Sequence, residues 1–363
     1  MKLIIEPTDG VAPILAAITG AKKSIEIVIF RFDRKDLEAA LIAAVKRGVR
    51  VTALIAFTNR GGEPSLRKLE LRFLAAGIIV ARTSGDLSRY HDKFLVVDRR
   101  TLLVLATNFT HLDIDHSRGF GIVTKNSKWV QEAARLLECD SARKPYTAGL
   151  DSFVVSPANS RRVLGNFLKR ARRQLLIYDP NISDKAMISI LQNRAKAGVE
   201  IRIIGRVDAR VSLSVGKLTR MRLHTRTILR DRRQAFIGSQ SLRPVELDSR
   251  REVGLIIHEP KVVKRLIDIF EADWASAERA GEPAAATAAL AETAKIEVER
   301  AAAVLVQELH PVTVTVKKAV RKAVARAGEE VLKDKAVKNT VKKVVKKAVK
   351  EAVEEAVQNN KDG

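Results

Sequence analysis

Two stretches of the chain repeat the same alternation of apolar and polar segments. Residues 23–55 read KSIEIVIFRFDRKDLEAALIAAVKRGVRVTALI, and residues 173–204 read RQLLIYDPNISDKAMISILQNRAKAGVEIRII. Each begins and ends with a mainly apolar run, which is typical of a strand covered on both faces. Between these runs the apolar residues recur every three to four positions, which predicts an amphipathic helix. Gly48 and Gly198 stand where such a helix ends.

Further pairs of segments recur at one constant separation, which is that between His91 and His224. HDKFLVVD at 91–98 corresponds to HTRTILRD at 224–231, and LLECDSAR at 136–143 corresponds to IFEADWAS at 269–276. A constant separation indicates an internal duplication.

The repeated strand–helix–strand order predicts two α/β halves with largely parallel sheets, related by a pseudo-two-fold axis. We place the first half at residues 1–146 and the second at 147–280. The first half has extra length before its motif, near residues 56–90, and this segment predicts a loop and a short helix, a candidate lid.

Charge narrows the choice of partner. The 363 residues include 66 Lys and Arg against 42 Asp and Glu, a formal net charge of +24. Residues 1–280 alone carry 50 basic and 30 acidic side chains, so the excess is not confined to the C-terminal region. Such a surface favours anionic partners, namely nucleic acid, acidic lipid or a phosphorylated substrate.

Composition also excludes several classes of protein. A single cysteine, Cys139, rules out an intramolecular disulfide framework and a Cys-rich zinc module. The low aromatic content, 4%, disfavours a base-stacking groove. No apolar run reaches the length of a membrane-spanning helix, and MKLIIEPTDG lacks the apolar core of a signal peptide. We therefore expect a cytoplasmic protein without a transmembrane segment, with peripheral membrane contact as an alternative.

The C-terminal region, residues 281–363, is rich in Ala, Lys and Val and predicts a helical or disordered tail. Residues 312–350 carry 13 basic and 3 acidic side chains. Three interpretations stay open for this segment: a solvated segment that only aids solubility, a basic amphipathic helix on an anionic membrane, or an arm that binds nucleic-acid phosphates.

The repeated segments carry the candidate chemistry. His91-x-Lys93 and His224-x-Arg226 each place an imidazole and a cation two residues apart, and residues i and i+2 of a strand share one face. Two imidazoles and two cations at one cleft meet the needs of phosphodiester transfer without a metal or cofactor. One imidazole attacks phosphorus, the other protonates the leaving oxygen, and the cations stabilise the oxygens of phosphorus.

These motifs resemble the doubled H-x-K-x4-D signature of the phospholipase D superfamily. The FEADW segment further resembles bacterial cardiolipin-synthase-like and phospholipase-D-like proteins. The resemblance implies a covalent phosphohistidine on His91, with His224 as general acid and with Lys93 and Arg226 on the phosphate. We interpret Asp98 and Asp231, which end the two motifs, as structural.

The family's G-S-x-N motif is divided between the halves. Asn108 stands at its last position in the first half, where the second half has Ser241, and Ser239 stands at its serine position in the second half. The acidic residue that often follows is Glu252, and the corresponding position of the first half is Gly119. The resemblance therefore assigns substrate contacts to Asn108, Ser239 and Glu252. Loop capping is the alternative for Asn108 and Ser239, and a surface ion pair is the alternative for Glu252.

The resemblance implies a phosphodiesterase or phosphatidyltransferase that acts on phospholipids. A phospholipase-D-type nuclease is one alternative, and a catalytically decayed nucleic-acid-binding protein is another, because both G-S-x-N motifs are incomplete. The segment HLDIDHSRG, with Asp113, Asp115 and His116, predicts a solvated loop rather than a metal site.

Overall fold

The structure is a computed structural model that describes residues 1–59, 62–209 and 212–279. The predicted tail, residues 281–363, lies outside the described residues. No described helix combines the length and the apolar character needed to cross a membrane.

Within the described residues the strands form two sheets. The strands are β1 (Lys2–Glu6), β2 (Ser24–Ile29), β3 (Arg50–Ile55), β4 (Ile79–Arg82), β5 (Arg89–Tyr90), β6 (Phe94–Val97), β7 (Thr101–Leu105), β8 (Ser117–Thr124), β9 (Phe153–Ser156), β10 (Gln174–Ile182), β11 (Glu200–Val207), β12 (Ser214–Lys217), β13 (Arg222–Leu223), β14 (Arg226–Arg230), β15 (Gln234–Gly238), β16 (Arg250–Ile257) and β17 (Glu278–Arg279).

The first sheet has the order β1-β8-β7-β6-β2-β3-β4, with β13 added beside β8. The second has the order β17-β12-β11-β10-β14-β15-β16-β5, with β9 also paired to β16. The same succession of strands thus occurs twice, and the predicted duplicated α/β fold is confirmed.

The expectation of largely parallel sheets is wrong. Only the β2–β3–β4 section of the first sheet's path and the β10–β11–β12 section of the second are parallel runs of three strands. The strands that follow are antiparallel, because β6–β7 and β14–β15 are hairpins, and a tight turn joins only antiparallel neighbours. Asp98 and Asp231 have positive φ values of 52° in these turns.

The described helices cover the sheets. They are α1 (Ala12–Gly20), α2 (Lys35–Lys46), α3 (Glu63–Ala75), α4 (His111–His116), α5 (Ser127–Ser141), α6 (Ser160–Lys169), α7 (Lys185–Lys196), α8 (Pro244–Asp248) and α9 (Pro260–Ala275). The predicted pair of amphipathic helices is α2 and α7, and each is followed by a glycine with φ of 85°, Gly48 or Gly198. The segment with extra length contributes α3, β4 and β5.

The segment from 111 to 116 is a helix, so the expectation of a loop is wrong. Thr110 caps α4 by accepting a hydrogen bond from the Asp113 N–H, an N-cap signal that the acidic composition of the segment obscured. The helix turns Asp113 inward, where only 3% of its surface is exposed.

The apolar core has three parts. One cluster of buried residues lies within the first half, around α1, α2 and α3, and another lies within the second, around α6 and α7. A central cluster unites residues of both sheets with α5 and α9, including Phe120, Tyr178 and Phe270. The two halves therefore share a core rather than meeting at a polar surface.

Candidate active site

Exchange of short strands brings the two histidines to the junction of the halves. β5, just before His91, pairs with β16 of the second half, and β13, just before His224, pairs with β8 of the first. The His91 N–H donates to the Arg251 carbonyl oxygen at 2.8 Å, and the His224 N–H donates to that of Arg118 at 3.2 Å. Each imidazole is thus supported by the opposite half.

His91 lies between β5 and β6, and His224 lies between β13 and β14. In both cases the flanking strands belong to different sheets, so the prediction that each imidazole shares one strand with its cation is wrong. The side-by-side arrangement of imidazole and cation is nevertheless present. The Lys93 Nζ lies 3.0 Å from His91 Nδ1 and 3.1 Å from Nε2. The ring of Phe30 contacts the imidazole edge-on at 4.5 Å between centroids.

Glu252 reaches His91 from the second half. Its two carboxyl oxygens lie 3.0 and 2.9 Å from His91 Nδ1. When Glu252 is ionised, its carboxylate favours the tautomer that carries the proton on Nδ1, which leaves the Nε2 lone pair available. This is the protonation state that a nucleophilic imidazole needs.

His224 has a different partner. Its Nε2 lies 3.3 Å from Asp113 Oδ2. The same oxygen accepts hydrogen bonds from the Asn108 N–H at 3.0 Å and from Asn108 Nδ2 at 2.6 Å, and Arg222 forms an ion pair with Oδ1. Asn108 therefore contacts Asp113 and supports His224 through it.

Arg226 occupies the position equivalent to Lys93. Its Nε donates to Ser241 Oγ at 3.2 Å, and one terminal nitrogen donates to the His224 carbonyl oxygen at 2.7 Å. The other terminal nitrogen lies 3.8 Å from Glu246, which also accepts from the Ser241 N–H at 2.8 Å.

Asp113 and Glu246 are site residues that motif matching missed. Their separation along the chain equals that of the two histidines, as does the separation of Asn108 and Ser241, the residues whose N–H groups they bind. This constant separation was the signal that could have found them. Both positions are acidic, whereas the surrounding residues have diverged.

The remaining candidate residues lie close by or at the far end of the sheets. Ser239 is buried behind Glu252, and its hydroxyl accepts a hydrogen bond from the Val253 N–H at 3.2 Å. The carboxyl groups of Asp98 and Asp231 bind backbone N–H groups of residues 22–24 and 172–174, respectively. These two aspartates thus connect the hairpin turns to the starts of β2 and β10.

Burial dominates the electrostatics of the site. It lowers the pKa of Lys93 to about 7 against the opposing pull of Glu252, and it raises the pKa of Glu252 to about 8 with help from Glu246. Burial and the nearby cations hold the His91 pKa well below its usual range. For Asp113, burial raises the pKa, but His224 and Arg222 outweigh it and bring the value to about 2.

Two buried ion pairs lock the halves together beside the site. Arg118 binds Asp273 at 2.8 and 2.9 Å, and Arg251 binds Asp140 at 3.0 and 2.9 Å. The two arginines correspond to each other in the duplication, as do the two aspartates, so the pairs are equivalent. Each arginine also carries the carbonyl group that holds the opposite histidine's segment.

In the described ranges, no group of three or more His, Cys, Asp or Glu side chains is arranged to hold a metal ion. The largely buried junction of the halves contains two imidazoles, a lysine and an arginine.

Comparison with known proteins relates part of the chain to a family. Residues 14–140 match the family described as "Cardiolipin synthase, PLD-like domain". This part of the chain resembles the phospholipase D superfamily. The resemblance predicted from the doubled motif is confirmed, and members of this superfamily are phosphodiesterases and phosphotransferases.

Individual relatives of this phospholipase-D-like chain differ in activity. It is 24% identical over 284 residues to a polyphosphate kinase of Vibrio vulnificus. The match covers 68% of this chain and 39% of that protein. The chain thus spans about two fifths of the length of this relative. It is 26% identical over 123 residues to the mitochondrial cardiolipin hydrolase of Mus musculus, covering 34% of this chain and 54% of that protein.

Among solved structures, the phosphatidylserine synthase of Haemophilus influenzae Rd KW20 superposes with a TM-score of 0.60 at 11% identity. The match covers 83% of this chain and 94% of that one, so it extends over both halves of the phospholipase-D-like fold.

Proposed function

We propose that this protein transfers a phosphodiester group through a covalent phosphohistidine, without a metal or cofactor. The observation that carries the proposal is the contact between His91 Nδ1 and Glu252, which orients Nε2 as a nucleophile beside Lys93. His224 and Arg226 face the same junction from the second half and complete the set of two imidazoles and two cations.

The reaction has two steps. His91 Nε2 attacks phosphorus and forms the N–P bond while the bond from phosphorus to the leaving oxygen breaks. His224 gives its Nε2 proton to that oxygen, and Lys93 and Arg226 stabilise the charge on the non-bridging oxygens. His224 then removes a proton from water or an alcohol, which attacks phosphorus and releases His91.

Substrate entry changes the contacts of three side chains. A phosphate group takes over the Lys93 Nζ from the His91 ring and draws His224 Nε2 away from Asp113. Because a phosphate anion favours the charged lysine, binding restores the cation that burial weakens in the free protein.

For the substrate we propose a phospholipid, with either water or an alcohol as the acceptor. The family description and the relationship to mitochondrial cardiolipin hydrolases support this class. A nucleic-acid backbone is the second candidate, and the excess of basic over acidic side chains in residues 1–280 favours it. In both cases a polyanionic surface approaches a positively charged protein.

The test compares wild type with His91→Asn and with the control His258→Asn, all in EDTA. His258 is an exposed histidine bonded to Gln234, and it lies outside the candidate site. The assays use phosphatidylglycerol vesicles, plasmid DNA, single-stranded DNA, and polyphosphate with ADP. We expect turnover of vesicle lipid by wild type and by His258→Asn, and its loss in His91→Asn.

A chemical trap tests the intermediate directly. Protein mixed with labelled substrate, quenched in base and digested, should yield a phosphoramidate on the peptide that contains His91. DNA cleavage that requires His91 would transfer the proposal to the nuclease candidate. Turnover that needs a divalent metal, or that survives in His91→Asn, would contradict the mechanism.

A further inference from the structure

Each half has a buried glutamate at this place in its sheet, but the glutamate lies on β16 in the second half and on β1 in the first. Glu252 in β16 corresponds to Gly119 in β8, which has no side chain to offer. In the sheets, Glu252 lies opposite Ser156 of β9, and Gly119 lies opposite Glu6 of β1. The second half therefore pairs a serine with a glutamate, and the first half pairs a glutamate with a glycine.

The correspondence of Glu6 with Ser156 has independent support. The Glu6 carbonyl oxygen accepts a hydrogen bond from Arg118 at 3.1 Å, and the Ser156 carbonyl oxygen accepts one from Arg251 at 3.1 Å. Since Arg118 and Arg251 are equivalent in the duplication, Glu6 and Ser156 occupy equivalent backbone positions.

The Glu6 side chain fills the space that Gly119 leaves. A β-carbon added at Gly119 would collide with the Glu6 carboxyl group. Glu6 has no exposed surface, and neither of its carboxyl oxygens has a hydrogen-bond partner among the described residues. The Thr107 side chain lies beside the carboxyl group, but it makes no hydrogen bond of normal geometry there. An unpaired buried carboxyl group is costly to the fold, so its presence calls for a functional reason.

His224 lacks the partner that His91 has. His91 Nδ1 contacts Glu252, whereas His224 Nδ1 is buried and unpaired within the described structure. We propose that Glu6 is the positioning residue of His224, and that it supplies from β1 the carboxyl group that Glu252 supplies to His91 from β16. This inference rests on the proposed function, in which His224 is the general acid.

The proposal requires the Glu6 side chain to rotate towards His224 Nδ1 when the site is occupied. The proton count then balances. In the free protein burial raises the Glu6 pKa to about 8, so Glu6 carries a proton at neutral pH. That proton passes to His224 Nδ1 and yields an imidazolium beside a carboxylate. His224 then gives its Nε2 proton to the leaving oxygen and keeps the Nδ1 proton.

Several charged groups surround this pair and bear on any pH dependence. Asp113, Asp115 and Asp9 raise the Glu6 pKa further after burial, and Thr107 opposes them. On His224, Asp113 opposes the lowering of the pKa by burial, whereas Arg226, Lys93 and Arg222 add to the lowering. A test must therefore change Glu6 and leave Asp113 intact.

The first experiment follows the histidine signals of the ¹⁵N-labelled protein by NMR, with His224→Asn to assign the signal of interest. With saturating inorganic phosphate bound in the site, His224 should lose its second proton at least about one pH unit lower in Glu6→Gln than in wild type if Glu6 partners Nδ1. Glu252→Gln is the matched control, and it should alter His91 and leave His224 unchanged. A His224 titration that is the same in wild type and Glu6→Gln overturns the proposal.

The second experiment uses the leaving group as the readout. Glu6→Gln should slow cleavage of a diester with an alkoxide leaving group by about 100-fold and slow a p-nitrophenyl diester by less than about tenfold, because nitrophenolate needs little protonation. Equal losses on both substrates would indicate a structural role and contradict the proposal.

A relocated carboxyl group gives a gain-of-function test. Glu6→Ser combined with Gly119→Glu copies the arrangement of the second half, and Thr107→Ser removes the methyl group that a side chain at 119 would meet. The triple variant should be at least about tenfold more active than Glu6→Gln. If wild type turns over neither diester, the proposed function fails, while the NMR titration still decides the role of Glu6.

Discussion

His91 and His224 occupy equivalent places in the two halves, yet different nitrogen atoms of their rings are engaged. His91 is held at Nδ1 by Glu252, and His224 is held at Nε2 by Asp113. The first contact leaves a lone pair at Nε2, and the second keeps a proton there. Duplication supplied two similar imidazoles, and the divergence of their neighbours gave them different protonation states.

The cations differ in the same way. Lys93 is 1% exposed and lies over the rings of His91 and Phe30, whereas Arg226 is partly exposed and anchored by Ser241 and Glu246. A compact ammonium group suits the closed side, and a planar guanidinium group suits the open side, where it has room for two hydrogen bonds. The comparison indicates that the cation on the nucleophile side is closed in and that the cation on the acid side is partly open, although both imidazoles are buried.

The largest expected effect separates the two histidines. His91→Asn should reduce turnover by about 10⁴-fold or more on any diester, because no N–P bond forms. His224→Asn should cost about 10²- to 10⁴-fold with an alkoxide leaving group and far less with p-nitrophenolate. The measurement is kcat on both substrates for the two variants. An equal loss in His224→Asn with both leaving groups would contradict the division of roles between the two histidines.

The outline of the site could be predicted from the sequence because the motifs repeat at a fixed separation. His91, Lys93, His224 and Arg226 come together at the junction, as that repetition indicated. Asp113 escaped detection because its role depends on an N-capped helix within an acidic segment. The position of Glu6 opposite Gly119 depends on the register between β1 and β8, which are distant from each other along the chain.

The misjudged strand directions have a related cause. The strand–helix–strand pattern correctly indicates the parallel sections, but hairpins such as β6–β7 are short apolar runs joined by a tight turn. Exchange of β5 and β13 between the halves leaves no periodic signal at all, because each strand has two residues. Pairing across a junction is a tertiary property, and apolar periodicity reports only burial along one segment.

The next largest effect concerns the two ion pairs that join the halves. Arg118→Met and Arg251→Met should each lower the free energy of unfolding by about 3–5 kcal/mol, because each leaves a buried carboxylate without its cation. The two variants should differ in pH dependence. Tyr178 still donates to Asp273 at 2.6 Å in Arg118→Met, whereas Arg251→Met leaves Asp140 beside Asp92, another buried carboxyl group.

Burial raises the pKa of Asp140 to about 6 and that of Asp92 to about 7 in the intact protein. A carboxyl group whose pKa is higher in the folded than in the unfolded state favours folding less once it ionises. The free energy of unfolding therefore falls as pH rises through these values. The loss of unfolding free energy in Arg251→Met, relative to wild type, should therefore grow between pH 5 and pH 8. The corresponding loss in Arg118→Met should change less with pH. Urea unfolding at the two pH values measures both, and parallel deficits would show that the pairs are equivalent.

The smallest effect comes from exchanging the cations. Lys93→Arg should cost at least about tenfold in kcat/KM, because a guanidinium group does not fit against the rings of His91 and Phe30 without displacing them. Arg226→Lys restores the family's lysine on the open side and should change kcat/KM by less than about fivefold, since it loses only the bonds to Ser241 and the His224 carbonyl group. The measurement is kcat/KM of both single variants and of the double exchange. Equal sensitivity of the two positions would contradict a closed nucleophile side and an open acid side, and the asymmetry would then belong to the carboxyl groups alone.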